Sequence, residues 1–378
     1  SAGNQDAMDK LSKTEFKGLI TESRLRSDNR RQILGASGDS DNACLVARWS
    51  DGPCWATELD GNIAYFGNGG SLEILNISDP SNPVQLGQVD LPEVIHDIDV
   101  SGSYAYVAVE NGLCIVKISD PGSPQKVTSL EIDGSAYALS TNGSFVYLVD
   151  LENGLRIIDV SYPLYPTEVG YYESWGLTGI DLAGSYAYVA ALNNGLLVID
   201  VSNPYSPTEI GSIELGTAYD VALEGSYAYV ANGRYGLCVV DISTPASPDS
   251  VAGRDTEDLA YAIDLSGMKA FVADGDSGLY IMDISSPEEP DSAGYFDMDG
   301  FSADISTDGS YAYVANNLEG LYIIDVATPT SPFEVGYDTS GEVWGVDVSG
   351  SYAYCACYQG LRIFDISDPQ LPDSTGFL

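Results

Sequence analysis

One phrase recurs eight times along this chain: an apolar run ends in Asp-Ile-Ser or a close variant, and Pro-x-x-Pro follows it. Successive copies lie 40 to 42 residues apart, and they contain sixteen of the 18 prolines. The pairs are Pro80/Pro83, Pro121/Pro124, Pro163/Pro166, Pro204/Pro207, Pro245/Pro248, Pro287/Pro290, Pro329/Pro332 and Pro369/Pro372. A period of about 40 residues with several short strands in each unit is typical of a stack of small sheets. The repeat therefore constrains the fold more than any single residue does.

Each copy divides into four strand-length segments separated by turn residues, such as VIHDIDV, SYAYVA, CIVKISD and PQKVTSLEI between residues 94 and 132. The second segment alternates with period two, which predicts a strand with one face buried against a neighbouring sheet. Its recurrent aromatic residues are Tyr65, Tyr106, Tyr147, Tyr188, Tyr229, Phe271, Tyr313 and Tyr354. The third segment is apolar on both faces, which indicates that both faces are covered.

The prolines predict how each unit ends. Asp or Ser beside the first proline favours a tight turn, and the second proline, which lacks an N–H, is tolerated where a strand lies at an edge. First strands begin near residues 54, 95, 136, 177, 218, 260, 302 and 343. We therefore predict an all-β fold: an eight-bladed β-propeller of four-stranded antiparallel blades over residues 44–378, preceded by an extended polar N-terminal arm, residues 1–43. An open β-solenoid of the same period is the alternative.

Segments such as NGLRIIDVSYPLYP, NNGLLVIDVSNPYSP and EGLYIIDVATPTSP resemble the LVIVD repeat, a propeller-forming repeat found mostly in predicted secreted or surface proteins of bacteria and archaea. The resemblance covers 335 of the 378 residues, from 44 onward. It implies a propeller and a location outside the cytoplasm, and the family has no established catalytic residues to transfer. We expect an extracellular or cell-surface protein, processed from a form with a signal peptide.

The charge is strongly and unevenly negative. The chain has 56 acidic and 15 basic side chains; residues 1–42 contain seven of each, so the remainder contains 49 acidic and eight basic ones. Such a surface repels nucleic acid and anionic lipid, so we expect neither as a partner. It suits divalent cations or a basic partner, and it also keeps a secreted protein in solution. No apolar stretch is long enough to insert into a bilayer.

Carboxylates are frequent in the predicted first strands, which line the channel of a propeller. One set of equivalent positions holds Asp97, Asp220 and Asp304, and a second holds Glu58, Asp99, Asp181, Asp264 and Asp347. Crowded carboxylates suggest Ca²⁺, the only cofactor we consider, because calcium selects many hard oxygen ligands. The alternative is that these groups accept hydrogen bonds from the backbone of the next blade. The loop with Asp274 and Asp276 is a weaker calcium candidate, since it lacks a bidentate Glu.

Aromatic residues recur at the start of the first strands, beside the only histidine. The candidate binding face comprises Trp55, His96, Tyr137, Tyr219, Tyr261 and Trp344, with Trp175 nearby. Flat apolar rings beside Asp and Asn can bind sugars or a protein loop, and they can equally be packing residues. A single histidine without a nucleophile elbow excludes multi-histidine metal sites and argues against a Ser-His-Asp triad.

The N-terminal residues break the repeat. Residues 1–43 are too polar to build a core of their own. We predict that their basic residues meet the carboxylates of a neighbouring ring; they are Lys10, Lys13, Lys17, Arg24, Arg26, Arg30 and Arg31. The following strand, CLVARW with Leu45 and Val46, aligns with a fourth strand, although 373–378 is already a candidate for that place in blade eight. It either closes the ring or pairs with another molecule.

Cysteines add one further prediction. Six cysteines do not make a disulfide framework in a chain of this length. Cys54 and Cys357 fall in blades one and eight, which become neighbours when the ring closes, so we consider a disulfide between them. Cys114 and Cys238 occupy equivalent positions in different blades and are expected to be small core residues.

Nearly uniform repeats without an exceptional cluster of reactive groups favour a non-enzymatic surface module, although the fold alone does not decide function. We expect it to act by protein contact or self-assembly, as a homo-oligomer or filament or with another surface protein. A glycan-binding module is the first alternative. A glycosidase or lyase that uses paired carboxylates is the second.

Overall fold

The computed structural model describes residues 44–48, 56–76, 78, 84–298, 300–307, 309–316, 320–338, 343–349, 352–357 and 360–366. The chain divides into two units, Ser1–Asp39 and Ser40–Leu378. The predicted arm lies outside the described residues, and so do its seven basic side chains. The described residues form 32 β-strands and no helix, so they contain no helix that is long and apolar enough to cross a membrane.

The first strand of the chain, β1, is Cys44–Arg48. Blade one contains Thr57–Asp60 (β2), Ile63–Asn68 (β3), Ser71–Asn76 (β4) and Val84–Asp90 (β5). Blade two contains Ile95–Ser101 (β6), Tyr104–Val109 (β7), Gly112–Lys117 (β8) and Gln125–Glu131 (β9). Blade three contains Ala136–Thr141 (β10), Phe145–Asp150 (β11), Gly154–Asp159 (β12) and Thr167–Glu173 (β13). Blade four contains Gly179–Ala183 (β14), Tyr186–Ala190 (β15), Leu196–Asp200 (β16) and Thr208–Ile213 (β17).

Blade five contains Asp220–Glu224 (β18), Tyr227–Ala231 (β19), Leu237–Asp241 (β20) and Asp249–Arg254 (β21). Blade six contains Ala262–Ser266 (β22), Lys269–Ala273 (β23), Leu279–Asp283 (β24) and Asp291–Phe296 (β25). Blade seven contains Ser302–Thr307 (β26), Tyr311–Asn316 (β27), Gly320–Asp325 (β28) and Phe333–Asp338 (β29). Blade eight contains Val343–Ser349 (β30), Tyr352–Cys357 (β31) and Gly360–Asp365 (β32).

Every blade is a four-stranded antiparallel sheet whose strands follow in sequence order, except that β1 takes the fourth place in blade eight. β1 pairs with β32, where Cys44 lies opposite Asp365 and Leu45 opposite Phe364. The first strands of blades eight and one, β30 and β2, are in contact. The predicted eight-bladed, all-β propeller is therefore confirmed. Of the two alternatives for the strand at 44–48, ring closure is the one observed.

The core lies between the blades and is built from the recurrent aromatic residues. All eight of them are at most 3% exposed. Tyr147 shows the pattern, because it packs against Ala187 and Val189 of blade four, while its neighbour Val146 packs on the other face against Tyr106 of blade two. The second strand is thus covered on both faces, although its alternation predicts only one buried face. The third strand is covered on both faces, as predicted.

The Pro-x-x-Pro turns join the blades on the outside. Each fourth strand carries a β-bulge, and in blades one, three, four and six the turn of the next blade approaches the strand backbone beside it. A Cβ placed on Gly170 or Gly211 would overlap the carbonyl oxygen of Pro204 or Pro245, respectively. Glycine is needed there because the two backbones come too close to admit a side chain. The same contact recurs at Gly87 and Gly294.

Candidate functional site

Six carboxylates in the channel connect the first strands of neighbouring blades. Each accepts a hydrogen bond from a backbone N–H of the next blade: Asp97 from Leu139 (2.7 Å), Asp99 from Thr141 (2.7 Å), Asp181 from Leu223 (3.2 Å), Asp220 from Ile263 (3.2 Å), Asp264 from Thr307 (2.8 Å) and Asp304 from Val346 (3.0 Å). We call these contacts carboxylate bridges. Several of the same groups also accept the N–H of the following residue in their own strand, as Asp220 does from Val221 at 2.8 Å.

The bridges have a simple physical cause. The first strand of each blade is its inner edge, so the N–H groups that point into the channel have no partner strand. Unpaired backbone N–H groups are costly when partly buried, and an ionised acceptor forms a strong bond to them. The bridges are not uniform around the ring. Blade three has Ala138 and Ser140 at the two carboxylate positions and therefore sends no carboxylate bridge to blade four.

Loss of hydration raises the pKa of these carboxyl groups, against the lowering effect of their N–H donors. The pKa is raised to about 7 for Asp97, to about 6 for Asp220 and to about 7 for Asp304. Burial raises the pKa of Glu58 to about 8, and repulsion from Asp99 and Asp347 adds to the effect. The pKa values of Asp99, Asp181, Asp264 and Asp347 are raised for the same reason, loss of hydration.

For the predicted calcium site, the geometry favours the alternative in which the carboxylates bond the backbone. Among the residues that the structure describes, no group of three or more His, Cys, Asp or Glu side chains could hold a metal ion. Six of the candidate carboxylates have an oxygen that accepts an N–H group of the next blade. Calcium binding stays a prediction for this chain, without support from the geometry of its described part.

The loop with Asp274 and Asp276 has a structural role in this geometry. Asp274 is fully buried, and its carboxylate accepts the hydroxyl of Thr256 at 2.5 Å and the N–H of Asp258 at 3.0 Å. Asp276 donates its N–H to Asp258 at 2.9 Å. Asp274 therefore holds the connection that enters blade six.

Equivalent buried polar residues end the second strand in other blades, and the sequence analysis did not single them out. Asp150 of blade three accepts the N–H of Ser135, and Asn316 of blade seven accepts the N–H of Phe301 at 3.0 Å. Both side chains are fully buried. A polar residue recurring directly after an apolar strand was the available signal, since such a residue is buried only when it has partners.

The candidate binding face is brought together only in part. The rings of Tyr219 and Tyr261 lie 4.6 Å apart, and Phe301 follows at 4.8 Å from Tyr261. The sequence analysis did not predict Phe301 as a member of this face. Alignment of the repeats places Ala303 at the position of the tyrosines, and Phe301 lies two residues before that position. His96 lies apart from this cluster and contacts Glu110 at 2.8 Å.

Another member of the predicted face, Tyr137, packs on the cluster between blades three and four. It also lies close enough to Tyr219 to help raise the pKa of that residue. Trp175 and Trp344 are half-buried, and Trp55 lies outside the described residues. Cys54 is also outside them; the thiol of Cys357 is buried and lies 3.4 Å from the carbonyl oxygen of Cys355. The predicted Cys54–Cys357 disulfide stays a prediction.

The clearest departure from the repeat is the Pro-x-x-Pro turn of blade three. Its three variable residues are large and exposed: Tyr162 by 77%, Leu164 by 61% and Tyr165 by 78%. At the same three positions the other described turns have small or polar residues, apart from Tyr205 of blade four, which is 63% exposed. We define the turn patch as Tyr162, Leu164, Tyr165 and Tyr205.

The four residues belong to one region of the rim. The turn with Tyr205 packs through Pro204 on Gly170, which lies in the strand that leaves the blade-three turn. The backbone of that turn is ordinary, since Tyr165 donates its N–H to the carbonyl of Tyr162 at 2.8 Å just as Ser247 does to Thr244 in blade five. The large side chains are therefore not required to form the turn.

The surround of the turn patch is anionic, as most of the ring is. Residues 157–233, which include the turn patch and all of blade four, contain nine acidic residues and no lysine, arginine or histidine. Asp200, at the base of the Tyr205 turn, has its pKa lowered by hydrogen bonds from Ser202, so it is ionised at neutral pH. The patch thus combines exposed aromatic rings with an anionic surround.

The family pattern described as LVIVD repeat matches residues 52–91, 95–131, 133–174, 178–214, 215–256, 258–297, 299–339 and 340–375. The chain belongs to the LVIVD repeat family. Seven matches each contain the four strands of one blade, and the match at 340–375 contains three strands of blade eight, whose fourth strand is β1. No curated protein matches the sequence.

Solved structures similar to this LVIVD repeat protein share its fold at low identity. Sqt1 from Saccharomyces cerevisiae has a TM-score of 0.72 at 9% identity, covering 89% of this chain and 100% of that one. Chaetomium thermophilum Sqt1 bound to the N-terminus of the ribosomal protein L10 has a TM-score of 0.68 at 12% identity, covering 86% and 99%. BamB from Moraxella catarrhalis has a TM-score of 0.65 at 12% identity, covering 82% and 94%. At these identities the likeness extends to the fold alone.

Proposed function

We propose that this chain is a non-enzymatic, extracellular or cell-surface protein that acts through protein contact, including contact with other copies of itself. The observation that carries the proposal is the turn patch. Large apolar side chains that contribute nothing to the core and stay exposed mark interaction surfaces, and tyrosine is enriched in them. One similar propeller, Sqt1, is bound to the N-terminus of another protein, which agrees with this use of the fold.

A non-enzymatic role is supported by the state of the reactive groups. Six of the channel carboxylates accept backbone N–H groups of the next blade. A glycosidase needs one carboxylic acid and one carboxylate that face a substrate, without competing partners. A location outside the cell is supported by the family resemblance and by the excess of 41 negative charges. Fractionation of the source cells with an antibody to this chain tests the location directly.

Self-association is tested on the purified full chain by light scattering over a range of concentrations and by electron microscopy. We expect oligomers or filaments. The matched variant replaces the blade-three turn with that of blade five, through Tyr162→Thr, Leu164→Ala and Tyr165→Ser; we expect it to be mainly monomeric. A parent chain that is monomeric at every concentration would refute self-association, and equal assembly of the variant would refute the role of the patch.

Glycan binding is the second candidate, and the stack of Tyr219, Tyr261 and Phe301 favours it. Aromatic rings beside carboxylates can bind sugars, and Asp258 and Asp276 are close enough to Tyr261 to help raise its pKa. The rings also pack on one another, which leaves less of their faces free for a sugar. Glycan-array binding that Tyr261→Ala abolishes would support this candidate, and an array without signal would count against it.

A further inference from the structure

The turn patch must be covered by something whose charge suits it. Contact between two identical patches would bring together two copies of Asp159 and Asp200, the carboxylates at the bases of the two turns, and residues 157–233 contain no basic residue. Like charges facing each other across an interface are unfavourable, especially at low salt. A symmetric contact between patches is therefore the less favourable way for two copies to associate.

One segment of the chain has no acidic excess, because its seven acidic residues are balanced by seven basic ones. Residues 1–42 contain seven of the chain's 15 basic residues, and Lys10, Lys13 and Lys17 flank the apolar residues Leu11 and Phe16. Lysine and arginine bind to tyrosine faces and to carboxylates, and apolar side chains cover exposed aromatic rings. The composition of this segment matches that of the turn patch.

The position of β1 shows where on the ring the segment is attached. β1 is the outer strand of blade eight, so the chain enters the ring at Cys44 on the rim. Blade four is four places from blade eight in either direction around the ring. The preceding 43 residues span at most about 150 Å when fully extended, so their length permits contact with a neighbouring molecule as well as with their own ring.

We infer that the turn patch is the docking site for residues 1–43 of a second copy of this chain. Lysine or arginine side chains of that segment contact the rings of Tyr162, Tyr165 and Tyr205, and its apolar side chains cover Leu164. Because donor segment and docking site are different surfaces of one chain, the contact is head-to-tail and extends to further copies. The inference rests on the proposed function and identifies the partner surface.

Photocrosslinking of the full chain tests this inference. One preparation carries a photoreactive benzoylphenylalanine in place of Phe16, and an equal amount of unmodified chain is labelled with ¹⁵N. We expect adducts that join residues 1–43 of the chain without ¹⁵N, the light chain, to residues 161–166 or 202–207 of the ¹⁵N chain. Adducts within the light chain alone, or adducts to other blades, would overturn the inference.

Two controls separate this inference from the proposed function. The variant with Tyr162→Thr, Leu164→Ala and Tyr165→Ser should reduce the adduct yield by about tenfold or more, the effect of losing about 1.4 kcal/mol of contact energy. Three changes in the turn of blade five, Thr244→Ser, Ala246→Gly and Ser247→Ala, should leave the yield unchanged. If the parent chain assembles but forms no arm-to-patch adduct, the arm inference fails while self-association stands.

The salt dependence of association independently distinguishes contact between the arm and the turn patch from contact between two turn patches. Salt screens ion pairs between the arm and an anionic rim, because the Debye length shrinks from about 14 Å at 50 mM NaCl to about 4 Å at 500 mM. Light scattering should therefore show weaker association at 500 mM than at 50 mM NaCl. Contact between two acidic patches would respond in the opposite way, because screening relieves their repulsion. Association that strengthens with salt would therefore overturn the inference.

Discussion

The inner strands and the outer turns both join neighbouring blades, but they do so with different chemistry. Inside, carboxylates such as Asp97 and Asp264 accept backbone N–H groups of the next blade. Outside, a proline carbonyl lies against a glycine, as at Gly211. The inner contact depends on a side-chain hydrogen-bond acceptor, and the outer contact depends on shape.

This difference shows where the fold can accept functional residues. The inner contact uses the side chain itself, so a carboxylate that forms a bridge cannot readily serve a ligand. The outer contact uses backbone and proline ring, which leaves the variable residues of Pro-x-x-Pro free. Blade three carries Leu164 and Tyr165 at the positions where blade five carries Ala246 and Ser247, and both turns form the same hydrogen bond.

The strongest test of the outer contact is Gly211→Val. A Cβ at Gly211 would lie 2.7 Å from Cδ of Pro248, so we expect the turn of blade five to be forced away at a cost of about 3 kcal/mol, the upper range for overpacking. Urea unfolding measures the loss. Thr128 already occupies the equivalent position of blade two, so Thr128→Val is the matched control and should change stability by less than about 1 kcal/mol. Equal effects of the two variants would show that the outer contact is not governed by shape.

The inner contact is tested next by Asp97→Ala, measured at pH 5. The change leaves the Leu139 N–H without its acceptor, and we expect a loss of about 2 kcal/mol in the free energy of unfolding. Asp97→Asn keeps an acceptor oxygen and should lose about half as much. Ser140→Ala in blade three, where no carboxylate bridge forms, is the control and should be nearly neutral. If Asp97→Ala is neutral too, the bridges contribute nothing to stability.

The ring could be predicted from the sequence. In every repeat the alternation of apolar residues indicates the strands, and the prolines indicate where strands end. Tyr147 and its equivalents are buried as that alternation requires. The place of β1 could not be decided from the sequence, since two terminal segments have the pattern of a fourth strand. Pairing with β32 is a contact between residues more than 300 positions apart, which local patterns do not encode.

The candidate site was less accessible to sequence reasoning than the fold. The channel carboxylates could be placed at their positions, but a pattern of acids does not reveal which N–H groups they accept. The turn patch carried a readable signal that a repeat-by-repeat comparison finds: Tyr-Pro-Leu-Tyr-Pro at 162–166 among turns with small polar residues. Its exposure, which distinguishes a binding surface from a packing residue, becomes visible only in the folded ring.

The pH dependence of stability provides a smaller effect that is specific to the inner contact. The pKa values of Asp97 and Asp304 rise to about 7 and that of Glu58 to about 8 in the folded chain. Since these exceed the unfolded value of about 4, the folded state binds protons more tightly. The associated stability is fully present below about pH 4 and is lost as the pH rises through the folded values. We expect the melting temperature to fall by a few degrees between pH 5 and pH 9, a partial effect because the groups are only half-buried.

Substitution identifies the groups responsible for that fall. Glu58→Gln removes the carboxyl with the highest raised pKa, so it should flatten the part of the profile between pH 7 and pH 9. Glu209→Gln, on the exposed rim of blade four, is the control and should leave the profile unchanged. A melting temperature that rises from pH 5 to pH 9, or a profile that Glu58→Gln does not alter, would contradict the role given to the channel.

The smallest expected effect on stability belongs to the turn patch. Tyr162→Thr, Leu164→Ala and Tyr165→Ser together install a turn that blade five already forms, and they remove side chains that are more than half exposed. We expect the free energy of unfolding, measured by urea on dilute protein, to change by less than about 0.5 kcal/mol. Loss of self-association without loss of stability would show that these side chains serve contact with another molecule. A loss above about 2 kcal/mol would instead show that they support the fold, and the distinction between inner and outer contacts would not hold for blade three.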